Sequence, residues 1–329
     1  MRALVVEEFG PIASHRFHDW PDPEPAANEV LIDIKAIGLN FPDALMLQGK
    51  YQKRPDRPFV PGRDAAGIVR KVGAAVTRFK PGDRAVCQVF TGAFAERVAA
   101  PEKRCFPLVD GIELEAAAAM MTVFNTAYVA VHLRAKAQPG QCAAVTGAAG
   151  GVGLAVLQLL KSIGTRSIAI VSSEAKAGLA RESGADRVIL TNRESLKDHI
   201  HDGIMAATDN RGVDLVFETV GGEMFANTLR TLAFDGKMIV IGFASGDIPS
   251  AKANYLLYRN LSVIGAPLDI QFDHEYEKML AGVRLVQDLY LQGAVKPNIM
   301  KVLPFERLAD AFSLITGREV RGKVVLKVA

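Results

Sequence analysis

Cysteine is scarce in this chain. Only Cys87, Cys105 and Cys142 occur in 329 residues, and no CxxC pair is among them. That excludes a disulfide framework and a four-cysteine zinc lobe, and it fits a reduced intracellular compartment. Charge of one sign is also lacking: 39 Lys and Arg face 36 Asp and Glu, a formal net charge of +3. A balance that weak does not argue for nucleic acid. No signal-type leader is read at the N-terminus, because Glu7 and Glu8 stop the first apolar run. The longest stretch without formal charge is 116–133, close to the ~20 residues of a membrane span, but it is alanine-rich and carries Thr122, Asn125, Thr126 and His132. It is read as a buried helix and its following turn. The expectation is a soluble, cytoplasmic protein with neither a membrane nor a nucleic acid as partner.

What is present is ordinary globular material, 49% hydrophobic and 23% charged, which rules out a disordered or fibrous chain. At roughly 150 residues per domain the length suggests two domains. Up to about residue 120, β-like runs at 29–37, 66–72 and 83–87 alternate with turns at Pro21, Pro23, Pro25, Pro61-Gly62, Gly73 and Pro81-Gly82. This is the texture of a compact β domain. From about residue 140, short apolar runs at 143–146, 167–171, 187–190, 214–217, 238–241 and 261–264 alternate with helical stretches, notably 152–163 and 174–183. Apolar runs without alternation are expected when both strand faces are buried, so this segment is read as a parallel sheet covered by helices. The tail carries a helical pattern at 276–291, a second helix after Pro304, and a closing strand at 322–328. The chain thus reads as a β domain, an α/β domain, then a return to complete the first.

The motif with chemistry in it follows the run at 143–146. Glycines at 147, 150 and 153 punctuate a strand–turn–helix, giving GxxGxxG. Glycine lets the backbone turn tightly, lets a pyrophosphate approach the helix N-terminus, and lets helix and strand pack closely. The free N–H groups and the helix dipole there favour anions. Gly147, Ala149, Gly150, Gly151, Val152 and Gly153 are therefore candidate dinucleotide contacts. After the second strand an NAD site usually shows an acid for the ribose diol; here the chain reads Val171-Ser172-Ser173-Glu174-Ala175-Lys176. Ser172, Ser173 and Lys176 suit the extra phosphate of NADPH. Two points compete: Ser172 or Ser173 caps the next helix, and Glu174 either repels that phosphate or contacts the ribose.

Several stretches together resemble the medium-chain dehydrogenase/reductase superfamily, in its zinc-free quinone oxidoreductase branch. They are residues 36–43, Gln48-Gly49-Lys50-Tyr51, 58–67, 80–84, the glycine turn and 322–326. The resemblance implies a GroES-like β domain, 1–122 and 267–329, with a Rossmann-type doubly wound parallel-sheet domain, 123–266, inserted in it. Zinc alcohol dehydrogenases of the superfamily carry a cysteine where Asn40 stands here and a Gly-His-Glu where Gly62-Arg63-Asp64 stands. An arginine stays protonated and cannot ligate a metal, so no metal is expected.

Without a Lewis acid, hydride delivery to a conjugated acceptor is easier than reduction of a plain carbonyl. The resemblance accordingly implies NADPH-dependent reduction of quinones, with enones or enoyl thioesters as the alternative acceptors and a non-catalytic or RNA-binding relative as a remoter one. It places Asn40 beside the nicotinamide and ribose, or as a plain turn asparagine. Tyr51 becomes the proton donor or an aromatic lining residue. Arg63 touches substrate or pairs with an acid, while Asp43 and Asp64 are read as structural. Thr126 is implied at the cofactor, as are Gly242, Phe243 and Ala244 after the fifth strand. Thr191 falls near the adenine phosphate, where relatives often carry a tyrosine. Lys323 is implied either as a cofactor contact or as strand surface charge. A homodimer pairing through the last Rossmann strand, near 260–265, is also implied.

Overall fold

The structure is a computed structural model and describes residues 1–191, 196–317 and 321–329. The chain forms two compact units, Met1–Thr122 with Val283–Ala329, and Val123–Gly282. The return to the first unit thus comes later than the residue 267 placed from the sequence.

In the first unit, β1 (Arg2–Val5) pairs antiparallel with β2 (Arg16–Asp19). The hub is β3 (Glu29–Gly38), whose two long antiparallel neighbours are β4 (Asp64–Val72) and β6 (Arg97–Pro101). β5 (Arg84–Gln88) and β7 (Cys105–Pro107) extend the sheet beyond β4. Between β3 and β4 lies a short helix, α1 (Phe41–Leu47), with Pro42 in its first turn, where a missing N–H costs nothing. Ile32, Ile34, Ile37 and Leu39 from β3 and its exit are all buried in one apolar core. The uncharged stretch becomes α2 (Leu114–Tyr128), which continues as a π-helical segment to Ala135 and stops at Lys136 in the left-handed region, φ 51°. The turn expected within 116–133 is therefore absent. In the most apolar window of this helix 78% is buried inside the protein, as for a core helix.

The second unit is a six-stranded parallel sheet. Its strands are β8 (Cys142–Thr146), β9 (Arg166–Val171), β10 (Arg187–Leu190), β11 (Val213–Glu218), β12 (Leu232–Val240) and β13 (Ser262–Gly265), in the order β10-β9-β8-β11-β12-β13. Every residue of β8 is buried, which explains its uninterrupted apolar sequence. The intervening helices include α3 (Gly151–Ser162), α4 (Glu174–Glu182), α5 (Leu196–Ala207), α6 (Gly222–Leu229) and α7 (Ala253–Arg259). The order reverses at β8, with β9 on one side and β11 on the other, so the crevice at the carboxyl end of β8 is the topological switch point of a doubly wound sheet. α8 (Leu268–His274) and α9 (Tyr276–Leu291) lead back towards the first unit. There β14 (Ile299–Pro304) and β15 (Lys323–Lys327) pair parallel, with α10 (Leu308–Thr316) as the crossover that parallel pairing requires. β15 then joins β3 antiparallel and completes a seven-stranded sheet.

Candidate functional site

At the switch point, β8 ends at Thr146 and the chain turns through Gly147 with φ +56°, a conformation glycine adopts without penalty. A Cβ on Gly153 would meet the Gly147 carbonyl oxygen at 2.5 Å and Ala148 Cα at 2.7 Å, so helix and loop touch through bare backbone. Gly150 is the N-cap of α3 and supplies no side-chain acceptor. The first-turn N–H groups of Gly151, Val152 and Gly153 are thus left to an external acceptor, at the end of a helix that carries about half a positive charge. With Ala149 completing the loop, the cradle fits a pyrophosphate: its side chains are small, or absent at the four glycines, and its donors are backbone.

Two residues that the sequence reading passed over, one buried and one half-buried, brace this turn. Glu218, 1% exposed at the end of β11, accepts from Thr146 Oγ1 at 2.6 Å, Val220 N at 2.7 Å and Gly221 N at 3.2 Å. Thr219 donates from its N to Thr146 Oγ1 at 2.9 Å and from its Oγ1 to the Thr146 carbonyl at 2.8 Å. The signal in the sequence was a carboxylate closing the apolar run Leu215–Phe217. Gly242, Phe243 and Ala244 leave β12 against the same bracing residues, with Gly242 N donating to Glu218 O at 3.4 Å and Ala244 N to Thr219 O at 3.1 Å.

Beyond β9, Ser173 is the N-cap of α4 and accepts from Lys176 N at 3.4 Å, while Lys176 Nζ donates to Ser172 Oγ at 3.1 Å. The capping role and the hydroxyl–ammonium pair therefore coexist on one exposed rim. Glu174 is turned to Arg181, at 3.8 Å. Thr191 donates from N and Oγ1 to the Val171 carbonyl, at 2.9 and 3.2 Å, and so lies beside the same strand end. A serine hydroxyl and an ammonium on one rim fit a phosphate on a ribose. Thr126 is buried within α2, at 8% exposure.

The first unit holds a second cluster, built of charge. Lys323, at the start of β15, is only 4% exposed, which overturns its reading as strand surface charge. Its ammonium donates to the Leu39 carbonyl at 2.6 Å and to Asn40 Oδ1 at 2.7 Å, and lies 4.0 Å from Asp64 Oδ2. Asn40 Nδ2 donates to Asp64 Oδ2 at 2.9 Å and to the Gly38 carbonyl at 3.2 Å. Only one orientation of the amide serves both partners, since the reverse would aim its NH2 at an ammonium. Both N–H groups are spent, so a ligand reaches this amide only through the second lone pair of Oδ1. Asp64, fully buried, also accepts from Thr122 Oγ1 at 2.6 Å and Thr122 N at 3.1 Å.

Asp43 is buried in the same cluster. One oxygen accepts from Asn40 N at 2.8 Å, and Oδ1 has no hydrogen-bond partner. Burial pushes its carboxyl up to about 7; the Arg63 charge opposes that and the Asp64 charge adds to it. Burial also pulls the Lys323 ammonium down, against the pull of Asp64 and Asp43. Arg63 is 3% exposed, with its guanidinium 5.9 Å from the Phe90 ring centre. Tyr51, half-buried on the apolar core, lies 6.5 Å from that same ring.

A zinc ion does not fit these residues. Asn40 and Arg63 stand at the ligand positions, and the Lys323 ammonium already occupies the neighbouring oxygens. Among the described residues no three His, Cys, Asp or Glu side chains converge on one point. His199 and His201 lie on α5, two residues apart; His15 is half-buried and His18 exposed.

Comparison with known proteins matches residues 26–110 to the alcohol dehydrogenase GroES-like domain and residues 151–283 to the zinc-binding dehydrogenase domain. The chain is 34% identical over 330 residues to quinone oxidoreductase-like protein 2 of Bos taurus, covering 99% of this chain and 90% of that one. It is 32% identical to the quinone oxidoreductase of Mus musculus, covering 99% and 97%. The crystal structure of Escherichia coli quinone oxidoreductase complexed with NADPH superposes with a TM-score of 0.90 at 27% identity, covering 99% and 100%.

Proposed function

The chain belongs to the quinone oxidoreductase branch of the medium-chain dehydrogenase/reductase superfamily, and from that premise we propose that it is a zinc-independent reductase that uses NADPH to reduce quinones. The observation that carries the reading is the glycine-rich turn at 147–153, where a single Cβ on Gly153 would strike the Gly147 carbonyl oxygen at 2.5 Å. The turn holds the pyrophosphate on backbone N–H groups. Ser172 and Lys176 hold the 2′-phosphate, where one charge-assisted hydrogen bond contributes ~1.5–3 kcal/mol. NADPH, when bound, supplies a hydride.

The remaining work falls to side chains of the first unit. A quinone that gains one hydride and one proton leaves as the hydroquinone. Tyr51 gives the proton to the oxygen that has become anionic, a role open to any phenol. Arg63 stabilises that oxygen electrostatically from a water-poor position. Asn40 meets the ligand through its Oδ1, held by Lys323. No step calls for a metal, because in a conjugated acceptor the charge spreads onto a distant oxygen.

A second reading keeps the machinery and changes the acceptor to an enone or enoyl thioester; hydride then goes to the β-carbon and a proton to the α-carbon. The half-buried Tyr51 phenol favours it. We place the protein in the cytoplasm as a homodimer joined through β13, an exposed edge of the parallel sheet. An unpaired edge is a liability that pairing removes, and a monomeric mass in light scattering would refute the dimer. The test of function is NADPH consumption, beside NADH, with quinones, enones and acyl thioesters. Higher catalytic efficiency with NADH would overturn the cofactor assignment, and no turnover with any acceptor would overturn the activity.

A further inference from the structure

Between α1 and β4 the chain reads Lys50-Tyr51-Gln52-Lys53-Arg54-Pro55-Asp56-Arg57. Four cations stand against one acid, so this stretch alone carries as much net charge as the +3 of the whole chain, and the remainder is balanced. Elsewhere in the first unit several exposed cations are spent on carboxylates: Arg2 on Glu306, Lys71 on Glu24, Arg97 on Asp22 and Asp33. Among the described residues, no carboxylate pairs with Lys50, Lys53, Arg54 or Arg57, all of them exposed.

The stretch is held at both ends. Lys50 N donates to the Leu45 carbonyl at 2.8 Å, and Phe59 exchanges backbone hydrogen bonds with Val6 at 2.9 and 3.2 Å. Its cations lie over aromatic faces: Lys53 Nζ is 4.8 Å from the Phe90 ring centre, and the Arg57 guanidinium is 4.9 Å from that of Phe9. Phe90 is shared. The buried Arg63 approaches it to 5.9 Å, and Tyr51 lies 6.5 Å away. Lys53 and Arg57 lie over different rings, Phe90 and Phe9, so the cations are spread along the stretch and suit a handle carrying several anionic groups rather than one carboxylate.

We propose that this basic stretch, beside the Tyr51 phenol, binds the handle of an anionic acceptor: a conjugated carbonyl joined to a phosphate-bearing carrier. The inference rests on the oxidoreductase reading above and sharpens its second form, the thioester-type acceptor.

The test uses two probes with the same reacting group, crotonyl-coenzyme A and crotonyl-pantetheine, which lacks the phosphates. The expected result is a KM at least about tenfold lower for the phosphorylated probe at similar kcat, an advantage that shrinks as salt rises from about 50 to about 250 mM. In a Lys53→Gln, Arg54→Gln, Arg57→Gln variant, whose changes are all at the surface, the ratio of the two efficiencies falls towards one. Equal KM values for the two probes, or an unchanged ratio in the variant, overturn the proposal and leave the oxidoreductase reading intact. Calorimetric titration of crotonyl-coenzyme A without NADPH gives a readout apart from turnover. Binding to the full chain that weakens about tenfold or more in the variant, with no turnover of any acceptor, supports the anion site and defeats the oxidoreductase reading. Absence of binding to the full chain overturns the site.

Discussion

The two polar regions of this molecule are built on opposite principles. In the parallel-sheet unit, the turn at 147–153 works by having almost no side chains: its donors are backbone N–H groups, and its shape is set by how closely glycine lets two backbones approach. In the β unit, the cluster around Asn40 works by crowding ionised side chains where water is excluded. Lys323, Asp64 and Asp43 are each within a few per cent of full burial, and the Lys323 ammonium is pulled down by that burial and held up by the two carboxylates. The first region tolerates no added atoms. The second tolerates no removed charge.

Removing a charge should show that contrast most strongly. Lys323→Met leaves Asp64 buried without its cation, and breaking a buried pair from one side costs about 3–5 kcal/mol. Urea unfolding should register that loss, and a change under about 1 kcal/mol would mean that Thr122 and Asn40 alone satisfy Asp64. Asp43 offers the next largest effect, through pH. Its carboxyl is raised in the folded protein to about 7 from an ordinary value near 3.8, so between those values the native state binds the proton more tightly than the unfolded chain. Its contribution is fully present below the lower value and is lost as pH rises through the upper one. The slope approaches 1.4 kcal/mol per pH unit while the group titrates. In Asp43→Asn the decline between pH 4 and 7 should flatten relative to the native chain; parallel stability curves would show that Asp43 does not titrate there.

Adding atoms to the other region comes next. Gly153→Ala forces a Cβ to within 2.5 Å of the Gly147 carbonyl oxygen, and overpacking of this sort costs ~1–3 kcal/mol. NADPH affinity, read by fluorescence titration, should drop by about tenfold or more, and unchanged affinity would remove the turn from the binding site. The smallest effect belongs to the exposed rim. Lys176→Ala should weaken NADPH by roughly tenfold and leave NADH nearly unchanged. Equal losses for the two cofactors would show that Lys176 does not read the 2′-phosphate.

These regions also differ in how far they could be read from the sequence. The glycine turn was plain, because its whole geometry is encoded within seven consecutive residues flanked by an apolar strand and an apolar helix. The strands of the parallel sheet were legible for a related reason: burial on both faces leaves uninterrupted runs such as Cys142–Thr146. Ser173 was legible as a cap, being local to α4. By contrast, Lys323 meets Asn40 across 283 residues of chain. Nothing beside Lys323 in β15 tells a buried lysine from the exposed Lys327 in the same strand. Glu218 was overlooked because a carboxylate after an apolar strand looks like the start of a loop until Thr146 and two backbone N–H groups are seen to close on it.

The sequence by itself determined where the backbone must bend and where it must be bare, since conformational freedom and strand burial are properties of short stretches. Through the family resemblance it also set an amide and a guanidinium, Asn40 and Arg63, where zinc-dependent relatives carry ligands. Only the tertiary structure decided which charges are desolvated and whom they face. The field at a side chain depends on what closes over it, and for Asn40, Asp64 and Lys323 those neighbours arrive from opposite ends of the chain.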